Sequence, residues 1–398
     1  MTSIPHRLEQ QIALLLAQHS PELSPPARRR LAWMLWAVLV CGTLVLRQIA
    51  NTLANMAPSD ANASSHERRL RRTIHDPRLS WHAVFAPLVR HLLRNLSGSV
   101  TVIVDESGHT DVLRVLTAAL YYQGRAIPLA WISWQGQVPH QQSYWQDCAT
   151  LLARASSVLP AHLTVTLVAD RAFGCPAFLD LVRARGWQWV ARVQGQTRLR
   201  QADGSEVAIK SMVSQGGQHW WGQGEVFKKQ GWRRATMVAY WRAGCKEPLL
   251  LVSSLVLPMQ SVRVYRWRSA IEAMFRDWKS YGFEWEASQV VRLGHQECLV
   301  VILALATVLT LLLGVEAAEE IVAQGAQQGK RRPWAARDSL FGLGRQRCVR
   351  RLWSDTKEAL RDSFPTPPAR PWFQVCWAAA APQARMASVK DGQVCHHR

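Results

Sequence analysis

The chain has 398 residues, 48% of them hydrophobic, and a formal net charge of +20 from 48 Lys and Arg against 28 Asp and Glu. This length exceeds what one small core needs, so we expect two or three domains in a packed globular protein. The positive charge favours a polyanionic partner, either nucleic acid or an anionic membrane surface. A generally basic, Arg- and Ala-rich proteome is the alternative explanation of the charge.

Several site types are disfavoured by missing motifs. The eight cysteines form no Cys-x-x-Cys pair, which is typical of reduced thiols and argues against a zinc site. The sequence has no Walker-type phosphate loop and no Gly-x-Ser-x-Gly motif, so an ATP-driven enzyme or a serine hydrolase is disfavoured. The polar, mixed start of the chain also predicts no signal peptide, and we expect a cytoplasmic protein.

Residues 1–97 are predicted to form a helical, basic N-terminal domain. Arginines cluster at residues 28–30 and again at residues 68–72. A positively charged helical module in front of a catalytic core could read the end of a DNA element. A helical cap with a solvated basic face explains the same clusters.

From residue 98 the pattern changes to an alternation of strands and helices. We predict a first core part at residues 98–194, a β-rich insertion at 195–258 and a second core part at 259–320. A basic C-terminal region with a loosely ordered tail follows at residues 321–398. The predicted fold class is therefore α/β.

Two apolar runs, residues 31–46 and 299–315, are candidates for membrane-spanning helices. Both are at or below the lower length limit of a spanning helix, and charged residues flank both. Buried core helices fit them better, so we expect no membrane partner.

The stretch YRWRSAIEAMFRDWK at residues 265–279 has a one-sided charge pattern. Read as a helix at ~100° per residue, it places a lone carboxylate among a phenol and three cations on one stripe. The members of this stripe are Tyr265, Arg268, Glu272, Arg276 and Lys279. The opposite face is apolar and is expected to pack, so the stripe is suited to a metal ion and phosphates.

Two strand-like runs each lead into an aspartate: VTVIV precedes Asp105, and LTVTLVA precedes Asp170. On neighbouring strands these carboxylates would lie close together and repel each other unless a cation lay between them. Glu272, on a helix packed against the sheet, would complete a set of oxygen ligands of the kind that Mg²⁺ or Mn²⁺ prefers. Two such ions ~3.5–4 Å apart can activate an attacking hydroxyl and stabilise a leaving phosphodiester oxygen.

These segments resemble bacterial insertion-sequence transposases of the DDE type. VIVDESGH resembles the first acidic strand of that family, LVADRAFG the second, and GRAIPLAW its strand-two segment. The helix matches the family's Tyr-x2-Arg-x3-Glu-x6-Lys signature through Tyr265, Arg268, Glu272 and Lys279. The resemblance covers residues 98–315, with a weaker similarity in SLFGLGRQR; Ser107 stands where family members often have threonine.

The resemblance implies an RNase H-like catalytic core with an inserted β domain and a cut-and-paste reaction on DNA. It implies metal-dependent cleavage at the ends of an insertion sequence, a hairpin intermediate and strand transfer into target DNA. Asp105, Asp170 and Glu272 are then the catalytic acids and the ligands of Mg²⁺ or Mn²⁺, with two ions expected. The implied partners are terminal inverted repeats, target DNA and a second copy of the chain.

The cations of the signature helix have predicted roles at phosphates. Arg268 and Lys279 could hold phosphates beside the metal ions, and Tyr265 could hydrogen-bond a phosphate near the cut. Arg276 shares the stripe but is not part of the family signature, so a peripheral phosphate contact and a solvated arginine are both open.

The chain carries 19 tryptophans, and four in the predicted insertion are candidates for stacking a flipped base. They are Trp220, Trp221, Trp232 and Trp241. Core packing is the alternative for each of them.

Three other functions remain open. A domesticated DNA-binding relative would keep the fold without catalysis, and an RNase H-like nuclease would cut without strand transfer. A membrane-associated basic protein rests only on the two apolar runs.

Overall fold

The computed structural model describes residues 7–56, 61–109, 113–136, 143–201, 203–326 and 338–359. The predicted tail beyond residue 360 and the basic cluster at residues 330–332 lie outside these ranges. The helices are α1 Arg7–His19, α2 Pro25–Cys41, α3 Leu46–Met56, α4 Ala63–Ile74, α5 Ala86–Leu93, α6 Tyr144–Val158, α7 Pro176–Arg183, α8 Pro258–Tyr265, α9 Ser269–Arg276, α10 Leu293–Ala326 and α11 Leu340–Ala359.

Helix ends coincide with residues that favour them. α2 begins with two prolines, which lack amide donors that a first turn would leave unpaired, and it ends at Gly42 in the left-handed conformation with φ 68°. At the start of α6, Ser143 and Gln146 form a capping box. The apolar run predicted at residues 31–46 is therefore divided between α2 and α3 instead of forming one helix.

Ten strands follow the N-terminal helices: β1 Ser99–His109, β2 Leu113–Tyr122, β3 Arg125–Gln135, β4 Thr164–Ala169, β5 Gln188–Arg192, β6 Arg198–Arg200, β7 Glu206–Ala208, β8 His219–Val226, β9 Arg233–Tyr240 and β10 Leu249–Ser253. β2 and β3 are joined by Gln123 and Gly124, both at positive φ (46° and 84°), as expected of a tight hairpin turn.

All ten strands belong to one sheet, in the order β3-β2-β1-β4-β5-β10-β9-β8-β6-β7. β1, β4 and β5 run parallel to one another, and the pairs on either side are antiparallel. The mixed α/β class predicted from the sequence agrees with this architecture.

The segment predicted as a β-rich insertion, residues 195–258, contains β6 to β10 and extends the same sheet. β10 pairs with β5, with Leu251 opposite Arg192, so this edge of the core sheet continues into the insertion. α8 packs on one face of this junction, against β5, β10 and β9.

The N-terminal helices and the sheet share the larger hydrophobic core cluster, which runs from Leu8 to Cys348, and a smaller cluster lies where α8 packs against β4, β5, β9 and β10. α10 lies at the centre of the larger cluster and contacts α2, α4, α11 and β3. Among the described residues, α10 is long and apolar enough to cross a membrane, and the bent pair α2–α3 would make a second candidate. The apolar window of α10 is 100% buried inside the protein, which is how the central helix of a packed core behaves.

Candidate active site

Asp105 and Asp170 lie side by side in the centre of the sheet. β1 and β4 are parallel neighbours, and their register pairs Val104 with Ala169, so the two aspartates occupy the next position on each strand. Asp170 directly follows β4, as predicted. Asp105 does not end its strand, because β1 continues to His109 by pairing with β2 alone.

Glu272 comes from α9, which packs against β1, β2 and β3. Its neighbours Ala270, Ile271 and Met274 are buried in the core, so the opposite side of the helix faces the aspartates. The carboxylate of Glu272 is 55% exposed, whereas that of Asp105 is 20% exposed.

One guanidinium contacts all three carboxylates. Arg268 Nη1 donates to Asp105 Oδ2 at 2.8 Å, and its Nη2 lies 3.4 Å from Asp170 Oδ2. The same Nη2 donates to Glu272 Oε1 at 2.5 Å, and the Arg268 side chain is 15% exposed. The three predicted catalytic acids therefore converge on a single cation.

Burial and mutual repulsion set the electrostatics of this cluster. Burial raises the pKa of Asp105, and the nearby Asp170 and Glu272 raise it further, while Arg268 opposes this shift. Although burial alone would lower it, the pKa of Arg268 is raised by the surrounding carboxylates. A positive charge close to Asp105 favours the ionised form of its carboxyl group.

Tyr265 contacts the cluster from the end of α8. Its hydroxyl donates to Asp170 Oδ1 at 3.1 Å, and burial together with the Asp170 carboxylate raises the pKa of the phenol. Tyr265 therefore stays protonated and orients Asp170. In this structure its hydroxyl contacts a carboxylate, and its contact with a phosphate stays a prediction.

The donor chemistry of the cluster fits a divalent ion, since three carboxylates already surround one positive charge. Within the described residues, however, no three His, Cys, Asp or Glu side chains are grouped so that they could hold a metal ion directly. Arg268 occupies the space between the acids. The guanidinium therefore marks the position of the positive charge, and an ion would have to displace it.

The signature helix is not one regular α-helix over residues 265–279. α8 ends at Tyr265, a 3-10 turn covers Arg266–Arg268, α9 ends at Arg276, and a π-helical turn covers Asp277–Tyr281. Each change of helix type rotates the side chains that follow. The single stripe predicted at ~100° per residue is therefore interrupted before Lys279.

Lys279 and Arg276 lie away from the carboxylate cluster. Lys279 Nζ is 3.3 Å from Glu286 Oε1, and the Arg276 guanidinium lies 5.6 Å from the ring centre of Tyr281. Asp277 is buried and forms an ion pair with Arg125 at the start of β3. The sequence did not predict this pair because its partners are distant along the chain.

The four candidate tryptophans have different environments. Trp221 is 48% exposed and stacks on His219, with ring centres 5.2 Å apart. Trp220 is partly buried against the core, Trp232 lies under Arg200 at 4.7 Å, and Trp241 Nε1 donates to the Cys245 carbonyl at 2.9 Å. Of the four, Trp221 presents the most open ring.

Other groups near the acids were missed or placed differently by the sequence analysis. Glu106 accepts a hydrogen bond from Tyr144 at 3.1 Å, consistent with its projecting away from Asp105. His109 is buried at the end of β1, with Nε2 2.9 Å from the Trp285 carbonyl oxygen.

Arg171, directly after Asp170, and Arg192, at the end of β5, both contact Glu247. The position of Arg171 beside Asp170 was the available sequence signal. Its pairing with Glu247 depends on the sheet order and could not be seen in the sequence.

One comparison with known proteins, a match to a family model, supports a transposase. Residues 135–309 match the family model described as a transposase DDE domain, a span that includes Asp170 and Glu272 and begins after Asp105. This match supports a DDE transposase family, an enzyme that acts on DNA. No curated protein matches the chain.

A solved structure described as the C-terminal lobe of a budding yeast Argonaute is 11% identical to this chain and covers 56% of each chain, with a TM-score of 0.19. The chain thus spans little more than half of that structure, and a score of this size establishes no shared fold.

Proposed function

We propose that the chain is a DNA transposase that uses Asp105, Asp170 and Glu272 to hold two divalent ions, Mg²⁺ or Mn²⁺, for phosphoryl transfer. The observation that carries this proposal is the convergence of the three acids, from β1, the end of β4 and α9, on the buried guanidinium of Arg268. Three carboxylates arranged around one positive charge, beside the end of parallel strands, suit hard divalent ions.

An RNase H-like core is part of the proposal. The half-sheet β3-β2-β1-β4-β5, with β1, β4 and β5 parallel, supports it. The insertion then adds β6 to β10 to the outer edge of β5.

When bound, the ions would supply activation of the attacking hydroxyl and stabilisation of the leaving oxygen. The protein's own groups position the reaction: the three carboxylates hold the charge, and Tyr265 fixes Asp170 through its hydroxyl. Arg268, once released from the acids, is placed to hold a phosphate beside them.

The proposed reaction is a series of in-line displacements at phosphorus. Water attacks a phosphodiester at the element end, and the bond from phosphorus to the 3′ oxygen breaks to free a 3′-hydroxyl. That hydroxyl attacks the opposite strand to give a hairpin. Water reopens the hairpin, and the freed 3′-hydroxyl finally attacks target DNA.

Basic side chains outside the cluster are proposed to position the DNA. Lys279 and Arg276 would contact phosphates beyond the carboxylates. On α4, Arg68 and Arg72 are exposed, whereas Leu70 and Ile74 are buried, so the helix presents cations outwards. This face is proposed to bind the element end, with a homodimer holding two ends in the bacterial cytoplasm, at the nucleoid.

Trp221 is the residue we propose for stacking a flipped base, because its ring is exposed and lies parallel to His219 with an interplanar angle of 6°. Trp221→Ala is expected to weaken hairpin formation while changing stability by less than about 1 kcal/mol. Trp220→Ala is the matched comparison: Trp220 packs on the core, so its loss should lower the melting temperature. Denaturing gels of the hairpin product and thermal melts distinguish the two roles.

The test of the proposed function is cleavage of DNA that carries the repeats flanking the gene. Wild type is expected to cut at the repeat ends only with Mg²⁺ or Mn²⁺, and Glu272→Gln is expected to fall to the metal-free level. Glu297→Gln, which removes an exposed carboxylate that accepts from Ser133, should cleave like wild type.

The other outcomes identify the alternatives. Binding without cleavage by wild type and variant would favour a domesticated DNA-binding relative. Cleavage without joining would favour a nuclease. Equal cleavage by wild type and Glu272→Gln would show that the acids are wrongly assigned.

A further inference from the structure

We propose that Arg171 and Arg192 form a second phosphate-binding site on the insertion side of the acids, and that Glu247 occupies it here in place of a DNA phosphate. The proposal rests on the proposed function, since it assigns a further DNA contact to the same site. It concerns a different set of residues from the signature helix.

The chain brings the two arginines together through a tight turn. Arg171 directly follows Asp170 and opens the 3-10 turn Arg171–Phe173, while Arg192 ends β5, the strand next to β4. A Cβ atom added at Gly174 would lie 2.1 Å from the Arg192 carbonyl oxygen. Glycine at this position is therefore required for the turn after Asp170 to lie against β5.

Glu247 reaches both arginines from the exposed connection between β9 and β10. Its carboxylate forms an ion pair with Arg192, and Arg171 Nη2 lies 3.4 Å from its Oε1 and 3.5 Å from its Oε2. Two guanidinium groups around one carboxylate present the same donors that would hold the oxygens of a phosphodiester.

The Glu247 carboxylate is well suited to be displaced. Its side chain is 61% exposed, whereas that of Arg192 is 22% exposed, so the anion can leave without uncovering a core. The hydrogen bond from Arg192 holds the pKa of Glu247 below its ordinary value, which keeps it an anion. Exposed ion pairs of this kind contribute little to stability and are easily exchanged.

Arg192 also has a donor that no described group uses. Its Nε is buried and has no hydrogen-bond partner among the described residues. A tetrahedral phosphate has more acceptor oxygens than a carboxylate and could accept from this position as well.

The site lies beside the acids, because the register that pairs Ala169 with Ala191 places Asp170 next to Arg192. Arg192 pairs with Leu251, Leu251 with Val238, and Val238 with Trp221, so these residues form a row across β5, β10, β9 and β8. Opposed residues of antiparallel strands project to the same face, and each step is ~4.8 Å. Leu251 and Val238 of this row are buried and pack against α8, so the phosphate proposed for the two arginines lies beside Asp170 and not along an open path to Trp221.

The test is the affinity of the full-length protein for a fluorescein-labelled duplex carrying the flanking repeats, measured by anisotropy in EDTA over a series of salt concentrations. Glu247→Gln is expected to bind about threefold more tightly, because the duplex no longer competes with an internal anion. The double variant Arg171→Gln/Arg192→Gln is expected to bind about tenfold more weakly, with a salt slope smaller by about two.

Matched controls separate this site from general charge effects. Glu206→Gln, on β7, removes an equivalent carboxylate that is paired with Lys228. Arg183→Gln removes a cation that is paired with Asp180. Both variants should bind the duplex like wild type. Adding Glu247→Gln to the double arginine variant should change nothing, because the residues through which Glu247 acts are gone.

Either unchanged affinity in Glu247→Gln, or an equal gain in the double arginine background, would overturn the proposal. If wild type cleaves the ends but Glu247→Gln binds no better, only the second phosphate site is wrong. If wild type binds no duplex at all, the proposed function and this site both fail.

Discussion

At the scale of single residues, Arg268 determines the charge balance of the site. It contacts Asp105, which lies 163 residues away in sequence, as well as Glu272 one helical turn away. The sequence predicted Arg268 and Glu272 on one stripe, because helical spacing is local. The contacts with Asp105 and Asp170 depend on how α9 packs on the sheet, and no pattern in the sequence predicts that.

Replacing Arg268 with glutamine should destabilise the protein in EDTA by about 2 kcal/mol, because three carboxylates lose their shared cation. Mg²⁺ should restore more of the melting temperature to this variant than it adds to wild type, where Arg268 competes for the same oxygens. Differential scanning fluorimetry with and without Mg²⁺ measures both effects. Arg183→Gln, on the exposed end of α7, should melt like wild type. A variant that melts like wild type in EDTA would contradict the account.

At the scale of elements, the sequence predicted several strands and helices closely but missed the breaks in the signature helix. Residues 163–169 were predicted as a strand, and β4 is Thr164–Ala169. The π-helical turn is stabilised by contacts outside the helix: the Asp277 carbonyl accepts from the amides of Gly282 and Phe283, and Asp277 pairs with Arg125. Apolar periodicity contains no information about such contacts, so the position of Lys279 could not be predicted.

The packing of α10 against α11 depends on two glycines. A Cβ at Gly344 would lie 1.8 Å from the Thr310 carbonyl oxygen, and one at Gly314 would lie 1.9 Å from that of Leu340. Gly344→Ala should therefore destabilise the protein by about 2–3 kcal/mol, because the helices must separate.

Gly342→Ala is the control for that substitution. Its nearest neighbours lie at 3.5 Å, and alanine favours the helix by up to about 1 kcal/mol over glycine. Chemical denaturation should show opposite signs for the two variants, and equal effects would contradict the close helix contact.

Histidines between α1 and α5 make the contact of these helices sensitive to pH. His19 and His91 stack with ring centres 3.9 Å apart, and burial, followed by neighbouring positive charge, lowers the pKa of both below 6.5. A lowered histidine pKa means that the stability is present above pH 6.5 and is lost as the pH falls through the folded-state pKa. The double variant His19→Gln/His91→Gln should lose less melting temperature than wild type between pH 7 and pH 5.

His162→Gln is the control for the pH experiment. This exposed histidine has Nε2 2.9 Å from the Leu96 carbonyl oxygen, outside the stacked pair. Its melting temperature should follow the wild-type pH profile. The same profile in the double variant would place the pH dependence elsewhere.

At the scale of the whole molecule, one sheet and one large core cluster connect parts that the sequence divides into separate regions. The composition change at residue 195 predicted a β-rich insertion, and β6 to β10 lie in this segment. The pairing of β10 with β5 joins the segment to the core sheet. Long-range pairing of this kind has no local signature, so neither the continuous sheet nor the arginines that Glu247 contacts could be foreseen. The three carboxylates could be selected from the sequence, because each follows or adjoins a recognisable local pattern, and their catalytic role stays a prediction.

The central claim is that Asp105, Asp170 and Glu272 together hold a divalent ion in the place now taken by Arg268. Titration with Mn²⁺, followed by electron paramagnetic resonance of the free ion, tests it most directly. The account predicts that wild type binds Mn²⁺, that Arg268→Gln binds it more tightly, and that Asp170→Asn and Glu272→Gln each lose most of the affinity. Mn²⁺ binding that is the same in wild type and in both carboxylate variants would contradict it.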